Sequence, residues 1–314
     1  MGGVPVTDQQ AERSGLRRRL FRLVLALAVL AGVAGYFAVQ YDSTGGGAPH
    51  CTVEAGGASY AMTPEQAGHA ATIAAVGTDR GMPQRAATIA IATAIQESHL
   101  RNLDHGDRDS LGLFQQRPSM GWGTPQQIMD PVYAAAKFYE HLAEVDGYEN
   151  MPLTVAAQEV QRSGYPEAYA KHEADAQLLA AAFTGNAPAT MTCSGPGPQR
   201  PGDPEAVKAQ LVKVFGPKVA PRTGSAAGTH GQAVGGSDGA EIALSVQERR
   251  RGWELAHWAV ANASELGVER VSYDGVAWLA GQNRGAWVRK APGRGGSDDP
   301  RNAGPHDVRI FVKR

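Results

Sequence analysis

Cysteine is almost missing from this 314-residue chain, which has two. A disulfide-dense scaffold is therefore excluded. Charge is also sparse: 19% of residues are charged, below the roughly 25% usual for soluble proteins, and 30 basic against 31 acidic residues leave a net charge of −1. With no basic excess, nothing recommends nucleic acid or another polyanion as a partner. The composition, 42% hydrophobic, is neither collagenous nor fully disordered and allows two modest domains. Its 39 glycines and 19 prolines cluster between 194 and 239, as in a linker.

Long apolar runs are confined to one place. Residues 23–39 read LVLALAVLAGVAGYFAV without a charge, directly after Arg17, Arg18, Arg19 and Arg22. This run just reaches the length of a bilayer span, and Tyr36, Phe37 and Tyr41 stand at its far end, where aromatic rings favour the interface. The expectation is a cytoplasmic basic segment at 1–22 and a transmembrane signal-anchor at 23–41, so the cytoplasmic membrane is a partner and everything beyond is exported. A cleaved signal peptide is the alternative, with Gly32-Val33-Ala34 as its small-x-small site, but that site falls inside the apolar run. Export gives the two cysteines an oxidising compartment. Cys51 and Cys193 flank the segments that read as a compact helical domain, and a disulfide between them is expected.

Between the cysteines the chain reads as helices. Thr63-Pro64-Glu65-Gln66 is a helix start with a capping box, and that helix should run to about Arg80. A second, over 83–99, contains AATIAIATAI and is apolar on every face, hence the buried centre of the domain. Glu97 lies at its end. Desolvation and the negative end of the helix dipole both disfavour an ionised carboxylate there, so Glu97 can hold a proton near neutral pH, as a general acid must. The alternative is a surface contact with Arg101 one turn on. A turn-rich stretch, Gly106 to Ser119, follows and can fold back across the helix end. Asp130-Pro131 starts a further helix, with Val132, Ala135, Phe138, Tyr139 and Leu142 on its packing face.

Glu97-Ser98, a short loop and Gly112-Leu113-Phe114-Gln115 resemble the Glu-Ser and Gly-Leu-Met-Gln motifs of lysozyme-like lytic transglycosylases. The stretch from Cys51 to Cys193, with its GDRDSLGLFQQRPSMGWGTPQQIMDP core, is similar to a transglycosylase-like domain of actinobacterial cell-wall proteins. The resemblance implies a mainly α, lysozyme-like domain at 51–193, acting on peptidoglycan without a cofactor or metal. Glu97 would be acid and base, and Gln115 and Ser98 would bind substrate. A two-carboxylate hydrolase would need a second acid, for which Asp107 and Asp109 are the near candidates, although aspartates in a Gly-rich turn commonly bond their own backbone. Trp122, between two glycines, is a candidate to stack on a sugar face. Where the family carries Ala-Tyr-Asn, with a tyrosine reaching the catalytic glutamate, this chain has Ala156-Ala157-Gln158-Glu159-Val160-Gln161-Arg162-Ser163. Gln158 or Gln161 can stand in, or Tyr165 and Tyr169 can reach in from the next turn and helix. The rival reading is a catalytically silent wall-binding or assembly protein.

Beyond the Gly/Pro-rich linker at 194–245, which is interrupted by a helix from Asp203 to Phe215, residues 246–314 read as a small α+β domain. Its helix spans Arg250 to Leu266, with strands at 270–273, 276–279, 286–289 and 308–312. WELAHWAVANASELGVERVSYDGVAW resembles the end of a zinc DD-carboxypeptidase-like domain of exported peptidoglycan-remodelling proteins. Metal-binding members carry an early histidine, an aspartate seven positions on and a late Asp-His-Val-His. Here the late motif is His306-Asp307-Val308-Arg309, and Ser237 stands seven places after His230, with Asp238 one too far. Arginine does not ligate zinc. The implied domain is degenerate, without zinc or peptidase activity, and a place where the wall or a cell-envelope protein could bind.

Overall fold

The computed structural model describes residues 27–33, 35, 48–163, 166–224, 240–282, 285–289 and 305–313. The chain divides into two compact units, Met1–Gly47 and Ala48–Arg314. In the first, residues 27–33 and 35 are helical and exposed. The rest of the 23–41 segment, and all of 1–22, lie outside the described residues. No helix among the described residues is long and apolar enough to cross a membrane. The expected transmembrane helix is therefore corrected: the described residues do not support it.

The second unit corrects the mainly α expectation as well, because both ends of the helical region are extended. Strands β1 (His50–Ala55) and β2 (Ala58–Met62) form a hairpin. Gly56 and Gly57 turn it at φ 60° and 82°, the paired positive values that a two-residue hairpin turn takes and that glycine adopts without steric cost. Strand β3 (Met191–Ser194) adds to the other edge of β1, giving the order β2-β1-β3. Cys51 lies opposite Cys193 in that register, and the two form the disulfide.

Helix α1 (Pro64–Asp79) starts as its sequence predicts. Thr63 Oγ1 accepts from the Gln66 backbone N–H at 3.3 Å, while Gln66 Oε1 accepts from the Thr63 N–H at 2.8 Å. Helix α2 (Gln84–Ser98) is buried continuously from Ala86 to Ile95, as a helix apolar on every face must be. A short α3 (Pro125–Ile128) leads to α4 (Pro131–Ala143), capped by Asp130 and buried at Ala135, Phe138, Tyr139 and Leu142. Helices α5 (Leu153–Gln161) and α6 (Glu173–Phe183) complete the layer around α2.

The segment read as a linker is built into the same unit on either side of residues 225–239, which lie outside the described residues. Helix α7 (Pro204–Phe215), capped by Asp203, packs on α1, and β4 (Arg222–Gly224) pairs with β5 (Ala240–Ser245). With β6 (Val268–Tyr273), β7 (Val276–Leu279), β8 (Val288–Arg289) and β9 (Asp307–Val312), an antiparallel sheet of order β4-β5-β9-β6-β7-β8 results. His230, Ser237 and Asp238 are outside the described residues. Arg309, in the place of a histidine, lies 3.5 Å from Glu241 as an ion pair.

Helix α8 (Arg249–Ala261) is buried from Gly252 to Ala261, and a short α9 (Ala263–Leu266) follows it. One side of α8 lies on β6 and β9, the other on α1, α6 and β3. Polar bonds cross this contact: Thr78 donates to the buried Glu254 carboxylate, Trp278 Nε1 to Cys193 O at 3.2 Å and Trp287 Nε1 to Met191 O at 2.8 Å. His257 is fully buried, and its Nδ1–H donates to Ala182 O at 2.8 Å. Its Nε2 has no partner, and burial pushes its pKa down from 6.5 to about 4. The unfolded chain takes up this proton first, so stability from this site is intact above about pH 6.5 and falls as pH drops towards 4, by about 3 kcal/mol in all. Urea titrations over that range should show the slope, and His257→Gln should flatten it.

Candidate active site

Glu97 is the penultimate residue of α2 and half-buried. The helix stops just beyond it because His99 and Leu100 both turn left-handed, at φ 53° and 59°. Tyr169, itself buried, donates its hydroxyl to Glu97 Oε1 at 2.8 Å, and Gln161 is a second hydrogen-bond partner of the carboxylate. Desolvation outweighs both bonds and leaves the carboxyl above the ordinary glutamate range. The tyrosine hydroxyl is likewise pushed up, first by burial and then by the Glu97 charge, so it remains a donor.

Around this pair the structure ties three segments together. The Ser98 hydroxyl reaches Leu113 O at 2.8 Å and Ala94 O at 3.1 Å. Gln161 Nε2 donates to Phe114 O at 2.8 Å, and the Phe114 ring stacks on Phe138 at 4.8 Å. The Gly-Leu-Phe-Gln loop is thus fastened to α2 by Ser98 and to α5 by Gln161, beside Glu97. Ser163 is fixed beyond the end of α5 by Gln158, whose Oε1 accepts from its hydroxyl at 3.0 Å and whose Nε2 donates to its carbonyl at 2.9 Å.

These contacts sort the residues singled out from sequence. Glu97, Gln161 and Tyr169 lie together, with the Tyr169 hydroxyl on the Glu97 carboxylate. Tyr165 lies outside the described residues. Ser98 is buried with its hydroxyl turned to the backbone carbonyl of Leu113. Gln115, at φ 47°, folds its amide back on its own loop, donating to Gly112 O at 3.2 Å. The Trp122 ring is tilted against His141 at 4.4 Å, packed on α4 rather than free.

Both aspartates have partners within their own loop. Asp109 accepts from Arg117 Nε at 2.7 Å and from the Ser119 N–H at 2.8 Å, which hold its carboxyl far below the usual range and make it a brace for the loop. Asp107 is exposed beside Arg108, with its carbonyl closing the turn to Ser110. Sequence reasoning missed one neighbour, His172, whose Nε2 contacts Gln96 Oε1 at 3.1 Å and whose pKa burial lowers. Residues 76 positions apart in the chain carry no signal for such a pair unless the helices they sit on can be placed against each other.

One carboxylate at the end of a buried helix, its acid form favoured by burial and gripped by a tyrosine and an amide, is equipped for acid–base chemistry on a bond laid across it. No protein-family model matches the chain, and no curated protein matches it significantly.

Proposed function

We propose that this chain cleaves the glycan strands of peptidoglycan as a lysozyme-like lytic transglycosylase, on the exported side of the membrane. The observation that carries the reading is Glu97, whose acid form burial favours and which Tyr169 and Gln161 orient. The Glu97-Ser98 and Gly112-Leu113-Phe114-Gln115 motifs support it, since the loop of the second is stapled to the helix of the first. The disulfide favours an oxidising compartment.

In this mechanism protonated Glu97 donates to the glycosidic oxygen as the C–O bond breaks. The resulting carboxylate then accepts the proton of the 6-hydroxyl of the same muramic acid, whose oxygen closes on the anomeric carbon as a 1,6-anhydro ring. One carboxylate serves both halves. The engagement of Asp109 by Arg117 and Ser119 favours this route over two-carboxylate hydrolysis.

The test is digestion of purified peptidoglycan by the full chain, with mass spectrometry of the released muropeptides. 1,6-Anhydro ends are the expected product. Reducing ends would make the protein a muramidase, and sacculus binding without release would replace the enzyme by a wall-binding protein. Tyr169→Phe provides a further check. Removing a donor from the ionised carboxylate raises the Glu97 pKa further, so the basic limb of the kcat/KM profile, where the acid form is lost, should move up by about one pH unit.

A further inference from the structure

A second concavity lies apart from the Glu97 site, where α1, the start of α4, α7 and α9 converge. It is a cleft of about 340 Å³, within the range of small-ligand sites. Its apolar lining includes Val214, Leu266 and the indole of Trp258.

The charged groups on its walls are mostly acidic, Glu65, Asp130 and Glu265 against one lysine. Lys213, the only cation on the lining besides an imidazole, is bound to Asp130 at 2.9 Å. That leaves the exposed carboxylates of Glu65 and Glu265 without an ion-pair partner among the described residues. His69 donates its Nδ1–H to Leu100 O at 2.7 Å, so its Nε2 presents a lone pair. Asn262 donates its amide to Trp258 O at 2.8 Å, and its Oδ1 faces the Cα of Gly68, where a methyl group would lie 2.9 Å away. Acceptors and uncompensated negative charge thus ring an apolar floor. An anionic or purely apolar occupant would leave them unanswered, whereas a primary ammonium on a hydrocarbon stem satisfies both parts.

We propose that this cleft is a binding site for a peptide side chain of that class, an alkylammonium such as lysine or another diamino acid presents. The site needs nothing from Glu97, and its test is separate from that of the glycan reading.

The full chain is titrated with acetyl-Ala-Lys-Ala-amide through the millimolar range, followed by Trp258 fluorescence and by NMR. The norleucine peptide serves as the uncharged isostere and the glutamate peptide as the opposite charge. Saturable binding of the lysine peptide, about tenfold tighter than norleucine, is the expected result. The preference should vanish in a Glu65→Gln/Glu265→Gln variant whose melting is unchanged, and persist in Glu97→Gln. Absence of saturable binding, equal binding of norleucine, or an unaltered preference in the double variant would each overturn the assignment. A lysine effect lost on Glu97→Gln but kept in the double variant would also overturn it, by moving the site to the catalytic groove.

Discussion

Glu97→Gln lowers muropeptide release by about 10²–10⁴-fold while the protein still folds and still binds the sacculus. The magnitude is that of losing a positioned general acid and base, here one group serving both steps. The substitution keeps a side-chain oxygen for the Tyr169 hydroxyl, so the geometry around the site survives. Folding offers a second readout. A carboxyl whose folded pKa lies above its unfolded value contributes stability below the unfolded pKa and loses it as pH rises through the folded one. Above the raised pKa the ionised group is therefore a cost, and there the denaturation midpoint of Glu97→Gln should equal or exceed that of wild type. A variant that lost activity together with stability would point to a structural glutamate instead.

The second large effect concerns the disulfide. Cys51 and Cys193 are 142 residues apart and join β1 to β3. In the chain-entropy model, closing a loop of that length stabilises the fold by up to about 5 kcal/mol, a large share of the roughly 5–15 kcal/mol typical of a native protein. Cys51→Ala/Cys193→Ala, read by urea denaturation, should lose about 2–5 kcal/mol. Reductant should destabilise wild type by a similar amount and leave the variant unmoved. Because Cys51 is fully buried, some of the loss in the variant will be packing, and comparison with reduced wild type separates the two.

How far the sequence could be read depended on whether its signals were local. The start of α1 was legible because Thr63, Pro64 and Gln66 carry the whole cap within four residues. The burial of α2 was legible because ten consecutive positions lack a polar face. The hairpin β1–β2 was missed although Gly56-Gly57 sits between two extended runs, a two-residue turn signal overshadowed by the helical pattern that follows. The tyrosine was legible only as a choice between Tyr165 and Tyr169, since the α5 end and the succeeding 3₁₀ turn, Pro166–His172, decide which ring meets Glu97. The inward turn of Ser98 was not legible, for the opposite reason. Its neighbour Glu97 stays half-buried, but one step along a helix turns a side chain by about 100°, here into the protein interior.

Helix α8 has a bearing on ancestry and engineering. A helix that is core to a sheet on one side and to a helical layer on the other cannot be inherited or swapped with only one of them. Truncation after Ser194 would bare the carbonyls of Ala182, Met191 and Cys193, which His257, Trp287 and Trp278 now satisfy, together with the apolar faces of α1 and α6. The carboxyl-terminal third is thus no detachable module: a graft of the part that carries Glu97 onto another protein would have to bring it along, or rebuild that surface residue by residue.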